Sequence, residues 1–166
     1  MLSHSSHVRT GFDDLSVNER NVVLASARAL LRAAQAGEPA PSLRGKNLAL
    51  MTEDADDPDA RRFARAASEL GAHVSHIKPS VSKLDTPRDV RHTVGMLGRL
   101  YDAVACEGEA CAEVRKLRGE AGVPVYEGLG SDHHPTAALA EALDGGAPLE
   151  ERRRYVLQAV LVSSLG

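Results

Sequence analysis

The chain has 166 residues, a formal net charge of −3, 43% hydrophobic and 26% charged residues, which is the size and composition of one globular domain with its own core. The slightly acidic balance excludes a general nucleic-acid surface, and an aromatic content of 3% with no Trp leaves no platforms for stacked bases. No apolar run approaches the roughly 20 residues that span a bilayer, and the polar, His- and Ser-rich N-terminus is unlike a secretory signal, so a soluble, cytoplasmic protein with no membrane partner is expected.

Residues 1–12 read as a flexible leader and residues 13–166 as a single domain. Ser16 and Glu19 form a capping-box pattern that starts a helix. Val22, Val23, Ala25, Ala29, Leu30, Leu31 and Ala33 continue it, and Gly37, Pro39 and Pro41 end it. The run Asn47 to Thr52 is too short for a helix and suits a strand covered on both faces. Asp57-Pro58 supplies an N-cap and first helical residue, and Phe63, Ala66, Ala67 and Leu70 make one buried stripe that stops at Gly71.

Val74 to Ile77 alternates as a strand, and Thr86-Pro87 opens a helix whose buried face is predicted to be Val90, Val94, Leu97, Leu100 and Tyr101. Ala103 to Cys106 reads as the third strand, 110–121 as a helix, and Pro124 to Tyr126 as the fourth strand. After a loop at 128–133 come a helix over 135–143 and a last helix over 148–165 that docks back on the domain. Strands alternating with helices predict an α/β fold: a three-layer, doubly wound, four-stranded parallel sheet flanked by helices, with any ligand beyond the carboxyl ends of the strands.

Local chemistry signals are sparse. Cys106 and Cys111 fit neither a paired CxxC zinc site nor a disulfide framework, and are read as reduced structural thiols. The acidic run Glu53 to Asp59 lacks the glycine and bidentate glutamate of an EF-hand loop, and a solvated helix start outweighs a cation site there. His133-His134 has no zinc-ligand spacing with either cysteine, and Ser131-Asp132-His133 cannot form triad geometry from consecutive residues. No metal and no cofactor is expected.

Several strings resemble the aspartate/ornithine carbamoyltransferase family from about Leu15 to Leu143. They are Leu43-Arg44-Gly45-Lys46-Asn47-Leu48-Ala49, the stripe Phe63 to Gly71, Leu97-Gly98-Arg99-Leu100-Tyr101-Asp102-Ala103, and Pro124-Val125-Tyr126-Glu127-Gly128-Leu129 followed by His134-Pro135-Thr136. The resemblance implies the fold of that family's carbamoyl-phosphate-binding domain. It also implies that 148–165 corresponds to the family's returning C-terminal helix, with the amino-acid-binding half excised between. In the family a Ser-Thr-Arg-Thr-Arg motif at a helix N-terminus grips the phosphate.

Here Asp56-Asp57-Pro58-Asp59-Ala60 stands at those positions, Glu107 stands where an arginine is expected after the third strand, and Ala137 replaces the glutamine after His-Pro-Thr. Pro58 removes a backbone donor. One like-charge contact at about 4 Å costs about 1 kcal/mol in water and about 4 at intermediate dielectric, more in sum than a helix dipole of at most about 2 kcal/mol returns. Tight phosphate binding is therefore not expected. The resemblance leaves His134 and Pro135, with Thr136, as half of a carbamoyl cradle.

Three readings follow. The favoured one is a non-catalytic, carbamoyltransferase-like protein with a binding, regulatory or scaffold role, a homo-oligomer that the resemblance makes a trimer, with a full-length enzyme or other protein as a further partner. The second is a minimal or partner-completed carbamoyltransferase acting on carbamoyl phosphate through Arg61, Arg62, Lys83 and His134. Ser80, Ser82 and Lys83 lie where the family sends a loop into a neighbouring subunit, although a surface turn is the simpler reading. The third is a pocket re-purposed for a cationic ligand.

Overall fold

The computed structural model describes residues 15–79, 86–115, 119–143 and 146–166. Helix α1 (Val17–Gln35) starts at the capping box the sequence announced: Glu19 N–H donates to Ser16 Oγ and Ser16 N–H to Glu19 Oε2. Its buried stripe is Val23, Ala27, Leu30 and Leu31, while Val22 is exposed, so the apolar set read from the sequence was too broad. Strand β1 (Asn47–Met51), helix α2 (Pro58–Glu69), strand β2 (His73–Ile77), helix α3 (Pro87–Leu100) and strand β3 (Ala103–Cys106) follow in the predicted order. Helix α4 (Ala110–Val114), strand β4 (Val125–Glu127), a 3-10 helix (Pro135–Ala142) and helix α5 (Leu149–Leu165) complete the chain.

All strand pairs are parallel and the sheet order is β2-β1-β3-β4. Chain direction across the sheet reverses between β1 and β3, whose last residues Met51 and Cys106 are in register. That is the switch point at which an open α/β sheet leaves a crevice. The two-residue period of a strand divides the core. Leu48, Leu50, Ala103, Ala105 and Tyr126 face α1, α2, α5 and the 3-10 helix, whereas Ala49, Met51, Val104, Cys106 and Val125 face Leu97 of α3 and Ala110 and Val114 of α4. The result is a three-layer sandwich, as the alternation of elements predicted.

Three expectations need correction. Leu100 is 58% exposed, not buried, because α3 meets the sheet through Leu97 and carries Leu100 on its outer side. Helix α4 stops at Val114 instead of running through residue 121. The segment after His134 winds as a 3-10 helix rather than an α-helix, with Ala137 N–H bonding the His134 carbonyl and Leu143 N–H the Ala140 carbonyl, three residues back.

Helix α5 does dock on the domain. It packs on α1, on the 3-10 helix and on α2 through Val156, Ala159, Val160 and Leu161. Buried Gln158 tethers it to α2 by donating to the Ala66 carbonyl (3.3 Å) and Glu69 Oε2 (3.1 Å). No helix of the described residues is long and apolar enough to cross a membrane. The leader read at residues 1–12 lies outside the described residues, as do Ser80, Ser82 and Lys83.

Candidate ligand site at the switch point

The start of α2 lies beyond the carboxyl end of β1, where free backbone N–H groups would face an anion. Here they face the chain itself. Asp57 is the N-cap, and its Oδ1 accepts from Asp59 N–H (3.0 Å) and Ala60 N–H (3.2 Å). Pro58 contributes no N–H, and Arg61 N–H already closes the first helical bond to the Asp57 carbonyl. Asp56 is exposed and its N–H donates to Asp54 Oδ1, and Ala60 is buried beneath the turn.

Glu107 follows β3 at the same switch point and is 1% exposed. Its Oε1 accepts from Gly130 N–H at 2.6 Å, while Oε2 is buried without a hydrogen-bond partner. Burial, with Asp59 and Asp57 nearby, pushes its carboxyl up to about 8, against the opposing pull of the Gly130 N–H and Arg62. Gly130 is packed so closely that a Cβ there would overlap the Asp59 carbonyl oxygen and come within 2.8 Å of Glu107 Oε1. The loop after β4 therefore seals the mouth of α2.

Arg62 holds that seal from outside. It forks onto Glu150 through Nε (2.6 Å) and Nη2 (3.2 Å), reaches Asp59 Oδ1 (3.2 Å), and donates to the Gly130 carbonyl. The Arg62 hydrogen bond holds the Glu150 carboxyl below its ordinary range. Arg153 of α5 donates to the same Gly130 carbonyl and pairs with Asp132. Arg61, by contrast, points into solvent from α2 and joins none of these groups.

His134, Pro135 and Thr136 lie together at the end of β4. His134 is 9% exposed and caps the 3-10 helix, its Nδ1 accepting from Thr136 N–H (3.2 Å) with Thr136 Oγ1 at 2.8 Å. An accepting Nδ1 leaves the neutral ring's proton on Nε2. A cleft of about 440 Å³ opens beside the ring, lined by Cys111, Arg115, Glu127, Ser131 and His133 among others. Arg115 Nε lies 3.7 Å from Glu127 Oε2. On its far side His134 also borders a second cleft that includes Ala137, the position where the family pattern has glutamine.

Cys106 and Cys111 are joined in a disulfide, which corrects the reading of them as reduced thiols. The turn between them, with Gly108 at φ 66°, folds back so that their Cα atoms are 5.1 Å apart. Gly130, Arg153 and Arg115 had no motif to betray them. Two signals were available: Glu127 within the Pro124 to Leu129 string, and Glu107, a charged residue immediately after an apolar strand at a switch point. Among the described residues no group of three or more His, Cys, Asp or Glu side chains could hold a metal ion.

A parallel sheet of order β2-β1-β3-β4 with helices on both faces defines the doubly wound α/β class. Within that class, the family profile for the aspartate/ornithine carbamoyltransferase carbamoyl-P binding domain matches residues 9–144, and the chain belongs to this family. The chain is 38% identical over 125 residues to the ornithine carbamoyltransferase of Actinobacillus pleuropneumoniae, covering 75% of this chain and 37% of that protein. It is 38% identical over 128 residues to that of Cutibacterium acnes, covering 77% of this chain and 38% of that protein. Among solved structures, ornithine carbamoyltransferase from Pyrococcus furiosus superposes with a TM-score of 0.64 at 25% identity, over 78% of this chain and 42% of the other. The catalytic subunit of M. jannaschii aspartate transcarbamoylase gives 0.61 at 20% identity over 79% of this chain and 43% of the other, a likeness of fold. The chain thus spans well under half the length of the relatives it matches.

Proposed function

We propose that this chain is a non-catalytic carbamoyltransferase-like protein that has kept the carbamoyl side of the family's site and sealed the phosphate side. The observation that carries the reading is the internal satisfaction of the α2 N-terminus: Asp57 takes its N–H groups, and the Glu107–Gly130 contact fills the space in front. A phosphate would have to break these bonds and then sit among carboxylates. Its ligand-facing surface is the cleft beside His134, Pro135 and Thr136, suited to a small amide or carbamoyl group without a dianionic tail.

A homo-oligomer, a trimer by family likeness, and a cytoplasmic location belong to the same proposal, as does a binding, regulatory or scaffold role toward a full-length enzyme or another protein. The rival reading, a minimal or partner-completed carbamoyltransferase, needs Arg62 as a phosphate fork, and that guanidinium is engaged with Glu150, Asp59 and Gly130. A cationic ligand is favoured by one observation, the unpartnered buried Oε2 of Glu107 close to Asp57 and Asp59.

Thermal-shift titration separates the three. A ligand at a hundred times its Kd adds about 2.7 kcal/mol of stability. Carbamoyl phosphate and phosphonoacetate at millimolar concentration are expected to leave Tm unchanged, and a dose-dependent rise with either would overturn the proposal in favour of the enzyme. A rise with a polyamine alone would transfer it to the cationic reading.

A further inference from the structure

The disulfide lies at the carboxyl end of β3, beside the candidate site. Cys106 ends β3, is fully buried, and has its Sγ 3.6 Å from the Tyr126 carbonyl oxygen. Cys111 sits on α4, is partly exposed, and lines the cleft beside His134. The two sulfurs are therefore unequal in access: a molecule in the cleft reaches Cys111 and cannot reach Cys106. Arg115 and Glu127 line the same cleft as an ion pair, with Ser131, His133 and His134 beside them, a polar lining that admits a small hydrophilic molecule.

We propose that Cys106–Cys111 is a reversible thiol–disulfide exchange site, worked from the cleft through Cys111 by a small hydrophilic thiol of the glutathione class. The incoming thiolate attacks Cys111 Sγ, a mixed disulfide forms there, and the electron pair of the broken S–S bond leaves on Cys106. Cys106 takes up a proton and can donate its S–H to the Tyr126 carbonyl. A second small thiol then attacks the small-molecule sulfur of the mixed disulfide and releases Cys111. Two thiols are oxidised to one small disulfide, the protein bond is reduced by two electrons, and two protons pass to the cysteines. The disulfide of the same small thiol drives the reverse reaction.

The bond is coupled to the sealed end of the site. Glu107 lies inside the ring that the disulfide closes, and its carboxyl holds Gly130 N–H. Opening the ring loosens the turn that carries Glu107, so the Gly130 amide becomes less protected in the reduced protein. Because the exchange is tested with no cleft ligand added, the inference stands or falls separately from the non-catalytic reading.

The test starts with the whole chain equilibrated with oxidised glutathione and labelled with N-ethylmaleimide, native and without reductant. No label is expected, and two labels are expected after denaturing reduction; two labels on the native protein would overturn the proposal. Limited reduced glutathione, acid quenching and peptide mapping should then place one glutathionyl group on Cys111, whereas an adduct on Cys106 would reverse the assigned roles and sink it. Cys106→Ser should trap a stable glutathionyl adduct on Cys111. Should that buried substitution fail to fold, Cys111→Ser gives the complementary readout: Cys106 stays unlabelled until the protein is denatured, and rapid native labelling counts against the proposal. Amide exchange at Gly130 should be faster in reduced than in oxidised protein, and equal rates would refute the coupling.

Discussion

The two ends of the site differ in how their polar groups are satisfied. At the α2 end, the Asp59 and Ala60 N–H groups bond Asp57, the Gly130 N–H bonds Glu107, and Arg62 is spread over Glu150, Asp59 and Gly130. At the β4 end, His134 and Thr136 satisfy each other, yet the surrounding side chains still border an open cleft. A helix N-terminus offers its N–H groups to an anion only while they lack partners, so an internal carboxylate at the N-cap competes with any anion there without changing the fold.

The largest way to break this comparison is by pH. Glu107 stays protonated in the folded protein up to about 8, whereas in the unfolded chain it ionises in the ordinary carboxylate range. Between those values the unfolded state binds fewer protons, so stability falls as pH rises through the window and levels off above it. The fall should be on the order of a few kcal/mol. Glu107→Gln keeps an acceptor for Gly130 and cannot ionise; urea unfolding at pH values either side of the window should show a flatter profile, and an unchanged slope would assign the pH dependence elsewhere.

Gly130→Ala comes next, because its methyl group collides with backbone at Asp59, and overpacking of this kind costs about 1 to 3 kcal/mol. Gly128→Ala is the partner experiment: its φ is 63°, but nothing nearer than Ser131 Cβ at 4.0 Å opposes the methyl, so only the backbone cost of about 1 to 2 kcal/mol remains. Equal losses in denaturant titrations would mean that the loop is not packed on α2 as described. His134→Ala leaves the buried Thr136 N–H without its acceptor and should cost about 1 to 3 kcal/mol, with the α2 end unaffected in amide exchange. Asp57→Ala should cost about 1 kcal/mol as a lost N-cap, read as reduced amide protection at Asp59 and Ala60. It should not create phosphate affinity, since Gly130 still fills the mouth.

Much of the fold was legible because it is written in short segments. The capping box at Ser16 and Glu19, the stripe Phe63-Ala66-Ala67-Leu70, and the apolar strands Asn47 to Met51 and Ala103 to Cys106 each depend on residues within one or two turns or one strand. The candidate site was legible only in part. Asp57 and Pro58 could be read as a helix cap, and the hydrogen bond from Thr136 N–H to His134 Nδ1 is equally local. The exposed Leu100 and the 3-10 winding after His134 could not be read, because the same apolar residues serve either outcome until neighbouring elements choose a face.

The sequence by itself determined the element order, the helix caps and the kinship with carbamoyltransferases, since propensity, periodicity and motif strings are local properties. Only the tertiary structure decided the state of the site. The contact of Glu107 with Gly130 spans 23 residues, that of Arg62 with Gly130 spans 68, and that of Arg62 with Glu150 spans 88. Whether a buried donor is satisfied or left for a ligand depends on groups that meet only when the sheet and its helices have closed around them.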